Sequence, residues 1–250
     1  MQEIKQRIIQ EIKNKKSLIS VPEIVLPDLV ETYKICRVLD ESLALFFDEK
    51  EDYNNYSYIN AEIDEILNIF KTEVLTALQN KKVQFRSIDR SQPFKFRNIF
   101  EYAGSENLYL SSIYTRFISE NLGHKLEDIA NISQQVFIPE KELNLSLKGI
   151  DLIIYDQGLI KYAQLKTKKD TLTGSQRSRS VDELKIHPHS MFVAALDMGK
   201  SWNPSPKIAK ANQIELLAGE DFWSLIGLDY TVILNKLSKV INEIDKELYQ

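Results

Sequence analysis

Residues 149–167 read GIDLIIYDQGLIKYAQLKT, two runs of β-branched, aromatic and leucine side chains broken by Gln157-Gly158. Short apolar runs separated by two turn-forming residues predict a β-hairpin with a two-residue turn. In that register Asp156 faces Leu159, and every facing pair has numbers summing to 315. Asp151 then faces Gln164, with Cβ atoms about 5 Å apart. Lys166, two residues beyond Gln164, shares its face because side chains alternate along a strand. A three-residue turn with a bulge would slip this register by one; Gln164 and Lys166 would still share a face.

Outward from the hairpin, VFIPE (136–140) predicts a strand before it. MFVAALDM (191–198) predicts a strand after it, apolar enough to be central. Between them, 168–180 reads as a polar loop followed by a helical turn at VDELKI. KIAKANQIELLAG (207–219) and YTVILNKLSKVINEIDKEL (230–248) read as helices, the latter with an apolar stripe through Val232, Leu237, Val240, Ile241 and Ile244. The first 80 residues read as helices. Ile4, Ile8, Ile9 and Ile12 mark the first; a second follows Asp28, taken as its N-cap; Ile59, Ile63, Ile66, Phe70, Val74 and Leu78 mark the third. DEKEDYNNYS (48–57) separates the second and third. A further helix is predicted over 106–121, ending near Gly123 and His124, with a short one at HKLEDIAN. The expected fold is α/β: a mixed central sheet of four or more strands flanked by helices, with a helical N-terminal region. That region spans 1–105, not independent of a core at 106–250, and would serve dimerisation or DNA contact.

The chain has 250 residues, 43% of them hydrophobic, with 8 Gly and 7 Pro, ordinary values for a globular protein. One cysteine, Cys36, excludes an internal disulfide framework and a cysteine-rich zinc site; its apolar helical neighbours place it in the core. The N-terminus does not resemble a secretory signal, and no run approaches the roughly 20 apolar residues of a membrane span. A cytoplasmic address is expected, with no membrane partner.

Net charge is −4, but unevenly spread. Residues 81–97 and 161–180 each hold six Lys/Arg and one Asp, a net +5 apiece. The remainder carries 20 cationic against 34 acidic side chains, a net −14. Positive charge gathered in two segments of an acidic body suits a grip on a polyanion, or simply two solvated basic loops.

Asp151, Gln164 and Lys166 form a polar trio at one end of an otherwise apolar hairpin. Phosphodiester hydrolysis uses a divalent ion to polarise phosphate and activate water, and Mg²⁺ takes oxygen ligands. Asp151 offers a carboxylate and Gln164 an amide oxygen; Lys166 can orient water or offset developing charge. The alternative is structural: Asp151 capping a strand start, with Gln164 and Lys166 at a solvent-facing strand end.

Gly149-Ile150-Asp151 and Gln164-Leu165-Lys166-Thr167 resemble the PD-(D/E)XK nuclease superfamily, type II restriction endonucleases in particular, in a Q-x-K variant. The likeness extends loosely to a helix–strand–strand–strand–helix–strand order over roughly 106–198. It implies Asp151 and Gln164 as metal ligands for Mg²⁺ and Lys166 as the catalytic lysine. Ile150 stands where the family's proline would be. Gln164 replaces its acidic residue, which removes a charge from the metal site. In several members a glutamate from the helix before the sheet reaches the metal; Glu127 in GHKLEDIA is the leading candidate, ahead of Glu120 and Glu106, with Glu140 and Glu142 also available.

Several side chains are candidate DNA contacts. The segment after Lys166 offers Lys168, Lys169, Thr171, Thr173, Ser175, Gln176, Arg177 and Arg179, suited to phosphates and base edges, or to a mobile surface loop. The earlier basic segment offers Arg86, Arg90, Lys95 and Arg97, interleaved with Phe85, Phe94 and Phe96, as a second DNA arm or a half-buried strand. His187 and His189 have no visible third partner for a metal and are expected at a loop or strand entry. Trp202 is assigned neither to packing nor to a partner. The expected activity is that of a Mg²⁺-dependent, homodimeric type II site-specific deoxyribonuclease acting on double-stranded DNA. A companion methyltransferase is expected in the host, not as a complex. The same residues would serve a structure-specific repair or recombination nuclease, or a non-catalytic DNA-binding protein with a degraded site.

Overall fold

The computed structural model describes residues 1–50, 56–91 and 95–248. Chain contacts divide it into two units: residues 1–59 with 126–230, and 60–125 with 231–250. The division interleaves the sequence and does not fall at residue 105. The first 59 residues belong with the sheet because their apolar faces help to form its core.

In the first unit a five-stranded sheet has spatial order β1 (Val136–Phe137), β2 (Leu152–Asp156), β3 (Leu159–Lys166), β4 (Ser190–Ala194), β5 (Ile214–Ala218). β1–β2 and β2–β3 are antiparallel, β3–β4 and β4–β5 parallel, so the sheet is mixed, as the α/β reading requires. The β2–β3 partners are Leu152↔Ala163, Ile153↔Tyr162, Ile154↔Lys161, Tyr155↔Ile160 and Asp156↔Leu159, the register of a two-residue turn. Gln157 and Gly158 hold φ of 50° and 82°, the paired positive values that match a tight turn to right-handed strand twist.

One face of the sheet, with Phe137, Ile153, Tyr162, Phe192 and Ile214, shares a core with α1 (Gln2–Lys15), α2 (Val30–Ser42) and α3 (Ala44–Glu49). α1 contributes Ile4, Ile8 and Ile12, one stripe at helical spacing, each burial stabilising by about 1.5–3 kcal/mol. The alternate strand residues Leu152, Ile154, Ala163, Leu165, Met191 and Val193 are also buried, so both faces are covered. Lys50 ties β1 in place by donating from Nζ to the carbonyls of Ser133 and Val136, each at 2.6 Å.

Several local expectations change. VFIPE is only a two-residue strand, because Pro139 starts the short helix α7 (Pro139–Leu143). The supposed polar loop becomes helical at Gly174: α8 (Gly174–Leu184) opens with a capping box in which Thr173 and Gln176 satisfy each other. KIAKANQIELLAG is not one helix: α9 (Pro206–Ala211) stops, and Ile214–Ala218 pairs with β4 as an edge strand. α10 (Glu220–Leu225) follows. Asp28 is not the cap of α2; it lies in a 3-10 turn begun by Pro27, and α2 starts at Val30 with no side-chain cap.

The second unit is helical. It holds Asn60 onward of α4 (Tyr56–Arg86), α5 (Ile99–Ala103), α6 (Glu106–Ala130) up to Lys125, and α11 (Tyr230–Leu248) from Thr231. Ile63, Leu67, Phe70, Val74 and Leu78 of α4 are buried at three-four spacing, as are Ile233, Leu237, Val240 and Ile244 of α11. Lys236 pairs with Asp64 at 2.6 Å and Lys71 with Glu243 at 3.1 Å along these two helices. Gly123 and His124 do not end a helix: α6 runs through them, carried by buried Leu122, Leu126 and Ile129. Among the described residues no helix is long and apolar enough to cross a membrane.

Candidate active site

The site lies where β2 begins and β3 ends. Asp151 immediately precedes β2; its N–H donates to the Ala163 carbonyl at 2.9 Å, a bond slipped by one from the hairpin register, in which Ala163 partners Leu152. Its Oδ2 accepts from the Leu165 N–H at 2.8 Å and lies 3.6 Å from Lys166 Nζ. Gln164 and Lys166 share a face of β3, as strand alternation dictates. Gln164 is only 6% exposed, so it is not at a solvent-facing strand end.

The acid that joins this trio is Glu183, near the C-terminal end of α8. Its Oε2 lies 3.5 Å from Gln164 Nε2, the long limit for a hydrogen bond. Gly149 makes this approach possible. A Cβ there would sit 2.4 Å from Glu183 Cβ, and Gly149 holds φ of 75° besides. Only glycine leaves room for α8 to press on the entry to β2 without strain. The Glu183 carboxylate is oriented from its other side: Arg179 Nε donates to Oε1 at 2.8 Å. Arg179 is itself held by Asp28, through Nη1 at 3.2 Å and Nη2 at 2.5 Å.

Burial pushes the Asp151 carboxyl above its ordinary value, with the like charge of Glu183 adding to it; the Lys166 charge and the Leu165 N–H oppose the shift. Two carboxylates drawn together in a partly desolvated place ask for positive charge. Lys166 supplies some at 3.6 Å. Gln164 Oε1 is buried and has no hydrogen-bond partner among the described residues, an acceptor left open in the same cluster.

No group of three or more His, Cys, Asp or Glu is arranged for a metal among the described residues. The donor set is instead two carboxylates and one amide oxygen. Those hard oxygen donors, one of them orphaned, fit Mg²⁺, which completes its shell with waters and substrate phosphate.

Glu127 lies on α6, while the charged groups acting on Asp151 are Lys166 and Glu183. Glu142 pairs with Lys5 at 2.6 Å, Glu120 with Arg116 and Glu106 with Arg86, while Glu140 is exposed on α7. The sequence does not single out Glu183, because α8 carries little apolar periodicity: Ser180, Val181 and Leu184 are its buried residues. The one legible signal was the Thr173-x-x-Gln176 capping pattern.

The expected DNA contacts divide. Arg179 is committed to Asp28 and Glu183, and Thr173 and Gln176 to starting α8. Lys168 pairs with Asp170 at 3.0 Å and Lys169 with Asp197 at 2.5 Å. Thr171 donates to the Lys168 carbonyl at 2.9 Å. The segment is tied down through Lys169 N to Met198 O at 3.1 Å and Asn203 N to Lys169 O at 2.9 Å. Ser175 and Arg177 stay exposed on the first turns of α8. In the second unit Arg86 forms a bidentate pair with Glu106, and Arg90 lies 4.8 Å over the Phe85 ring. Lys95 and Arg97 are exposed. Phe94 lies outside the described residues; Phe96 meets Tyr102 edge to face, and 81–86 are the last turns of α4, not a strand.

His187 is buried beneath Tyr162 and His189 precedes β4 with φ of 54°, the strand-entry role expected. Cys36 is fully buried. Trp202 packs against the core of the first unit. No protein-family model, curated protein or solved structure matches the chain.

Proposed function

We propose that the chain is a Mg²⁺-dependent endonuclease of the type II restriction kind, hydrolysing double-stranded DNA at a short specific sequence. The observation that carries this reading is the gathering of Asp151, 3.6 Å from Lys166 at the end of β3, and Glu183, 3.5 Å from Gln164 Nε2, about a Gln164 whose buried Oε1 has no partner among the described residues. The succession of α6, β1, β2, β3, α8 and β4 supports it, as does the Gly149-Ile150-Asp151 and Gln164-Leu165-Lys166 pattern.

Asp151, Glu183 and Gln164 Oε1 would hold the ion, which supplies a Lewis acid for phosphate and lowers the pKa of water. The Leu165 N–H fixes Asp151, and Arg179 fixes one oxygen of Glu183, leaving the other turned to the cluster. Lys166 keeps free donor capacity on Nζ to orient the attacking water or to offset charge on the phosphate. Exposed Ser175 and Arg177 on α8 are suited to the DNA itself. A palindromic site asks for a two-fold dimer.

The test is incubation of the protein with phage and plasmid DNA, with Mg²⁺ or with EDTA. Discrete Mg²⁺-dependent fragments are expected, and Lys166→Ala is expected to abolish cutting while sparing DNA binding. Intact DNA across several substrates and divalent ions, or wild-type cutting by Lys166→Ala, overturns the reading.

A further inference from the structure

We infer that the helical second unit carries a binding pocket for a phosphate group, built by Lys81, Arg97 and Arg116. This does not depend on the endonuclease reading.

The cavity has a volume of about 280 Å³ and opens between the last turns of α4, the chain entering α5, and the middle of α6. Its floor is rigid. Tyr109, 4% exposed, packs on Phe85 with ring centroids 4.8 Å apart, in a core with Leu110, Phe100 and Ile113. Its rim is fixed at Arg97, whose N–H donates to Glu101 Oε2 at 2.8 Å. The Glu101 N–H in turn donates to Asn98 Oδ1 at 3.0 Å, capping α5. The buried Glu101 carboxylate is thus used to hold the backbone that presents Arg97.

The three cations are unevenly employed. Lys81 Nζ donates to a neutral group, Gln84 Oε1, at 3.0 Å. Arg116 has, among the described residues, an exposed pair along its own helix with Glu120 at 3.4 Å, worth little in water. The Arg97 guanidinium pairs with no carboxylate among the described residues. Arg86, from the same basic segment, shows the contrast: Glu106 takes it bidentately. Three cations face one buried carboxylate, so the cavity favours an anion.

The neutral groups select the kind of anion. Asn98 spends its oxygen on the α5 cap, which leaves its NH₂ to donate. Burial, with Glu101 beside it, holds the Tyr109 phenol above its ordinary value, so it keeps a proton to donate. Donors from an ammonium, two guanidinium forks, an amide and a phenol match a tetrahedral oxyanion with several acceptor oxygens. The volume admits the phosphate with part of an attached sugar. Such a group could belong to a nucleic-acid backbone or to a free nucleotide or phosphate ion.

The test uses the full chain in EDTA. Calorimetry is run with inorganic phosphate, with a nucleoside monophosphate and with a DNA duplex. The variants are Arg97→Ala, Arg97→Lys and Arg116→Glu, with Lys239→Ala on α11 as a control outside the pocket. Arg97→Ala is expected to weaken the bound probe about tenfold, the loss of one charged hydrogen-bonding group. Arg97→Lys should weaken it less, and Lys239→Ala should leave it unchanged. If the duplex is the ligand, removing Arg97 should reduce its log K against log salt slope by about one. Tight binding of phosphate or nucleotide alone assigns the pocket to a free ligand. Wild type binding none of the three, or Arg97→Ala and Arg116→Glu binding as wild type, overturns the proposal. Either result leaves DNA cutting by Asp151 and Lys166 to be judged separately.

Discussion

Acidification from pH 7.5 to 5 is expected to cost this fold about 2 kcal/mol through His187 alone. The imidazole is 4% exposed, lying on Tyr162 with centroids 4.7 Å apart and stacked with Tyr33. Its Nδ1 is 3.4 Å from Arg37 Nη2, and its Nε2 has no partner among the described residues. Burial, reinforced by the Arg37 charge, pushes its pKa down to about 3. In the unfolded chain it titrates near an ordinary 6.5. The native state therefore stays neutral where the unfolded state gains a proton. The stability contributed by neutral His187 is full above pH 6.5 and is lost as pH falls from there towards 3. At pH 5 the unfolded chain has gained about 1.5 pH units of linkage, or about 2 kcal/mol at 1.36 kcal/mol per unit. Asp40 and Asp151, whose carboxyls are raised chiefly by burial, act in the opposite sense at lower pH. Comparison with His187→Gln cancels them. The assay is urea unfolding at pH 7.5, 6 and 5 for both proteins. The wild type should lose about 2 kcal/mol more than the variant by pH 5, and parallel curves would refute the reasoning.

Other consequences concern the site. Glu183→Ala should reduce Mg²⁺-dependent cutting by about 100-fold, in the range for lost metal-site groups; if Glu127→Ala is the damaging change instead, the acid has been misassigned. Arg179→Lys keeps the charge but loses the fork that bridges Asp28 and Glu183. Mn²⁺ affinity followed by electron paramagnetic resonance should weaken about tenfold with little change in melting temperature, and an unchanged affinity would remove Arg179 from the positioning of Glu183. Gly149→Ala combines a positive φ with a Cβ driven into Glu183, so urea unfolding should show a loss of about 1–3 kcal/mol; wild-type stability would mean that α8 yields freely.

What could be read directly was local. The alternation on either side of Gln157-Gly158 and the two-residue turn set the β2–β3 register, which puts Gln164 and Lys166 on one face of β3 next to the start of β2, where the Leu165 N–H holds Asp151. The stripes of α1, α4 and α11 were equally legible, since each repeats within one helix. What tertiary structure decided was which distant segments those elements meet. Glu183 enters the cluster 19 residues beyond Gln164, because Val181 and Leu184 bury one side of α8 and Gly149 admits the other. Arg179 read as a DNA contact until Asp28, 151 residues away in sequence, claimed it. Ile214–Ala218 has a helical composition and becomes a strand only because β4 offers it an edge. Side-chain periodicity records which face of an element is apolar. The partner of that face, and the charges that arrive with it, depend on packing between segments whose separation no local pattern encodes.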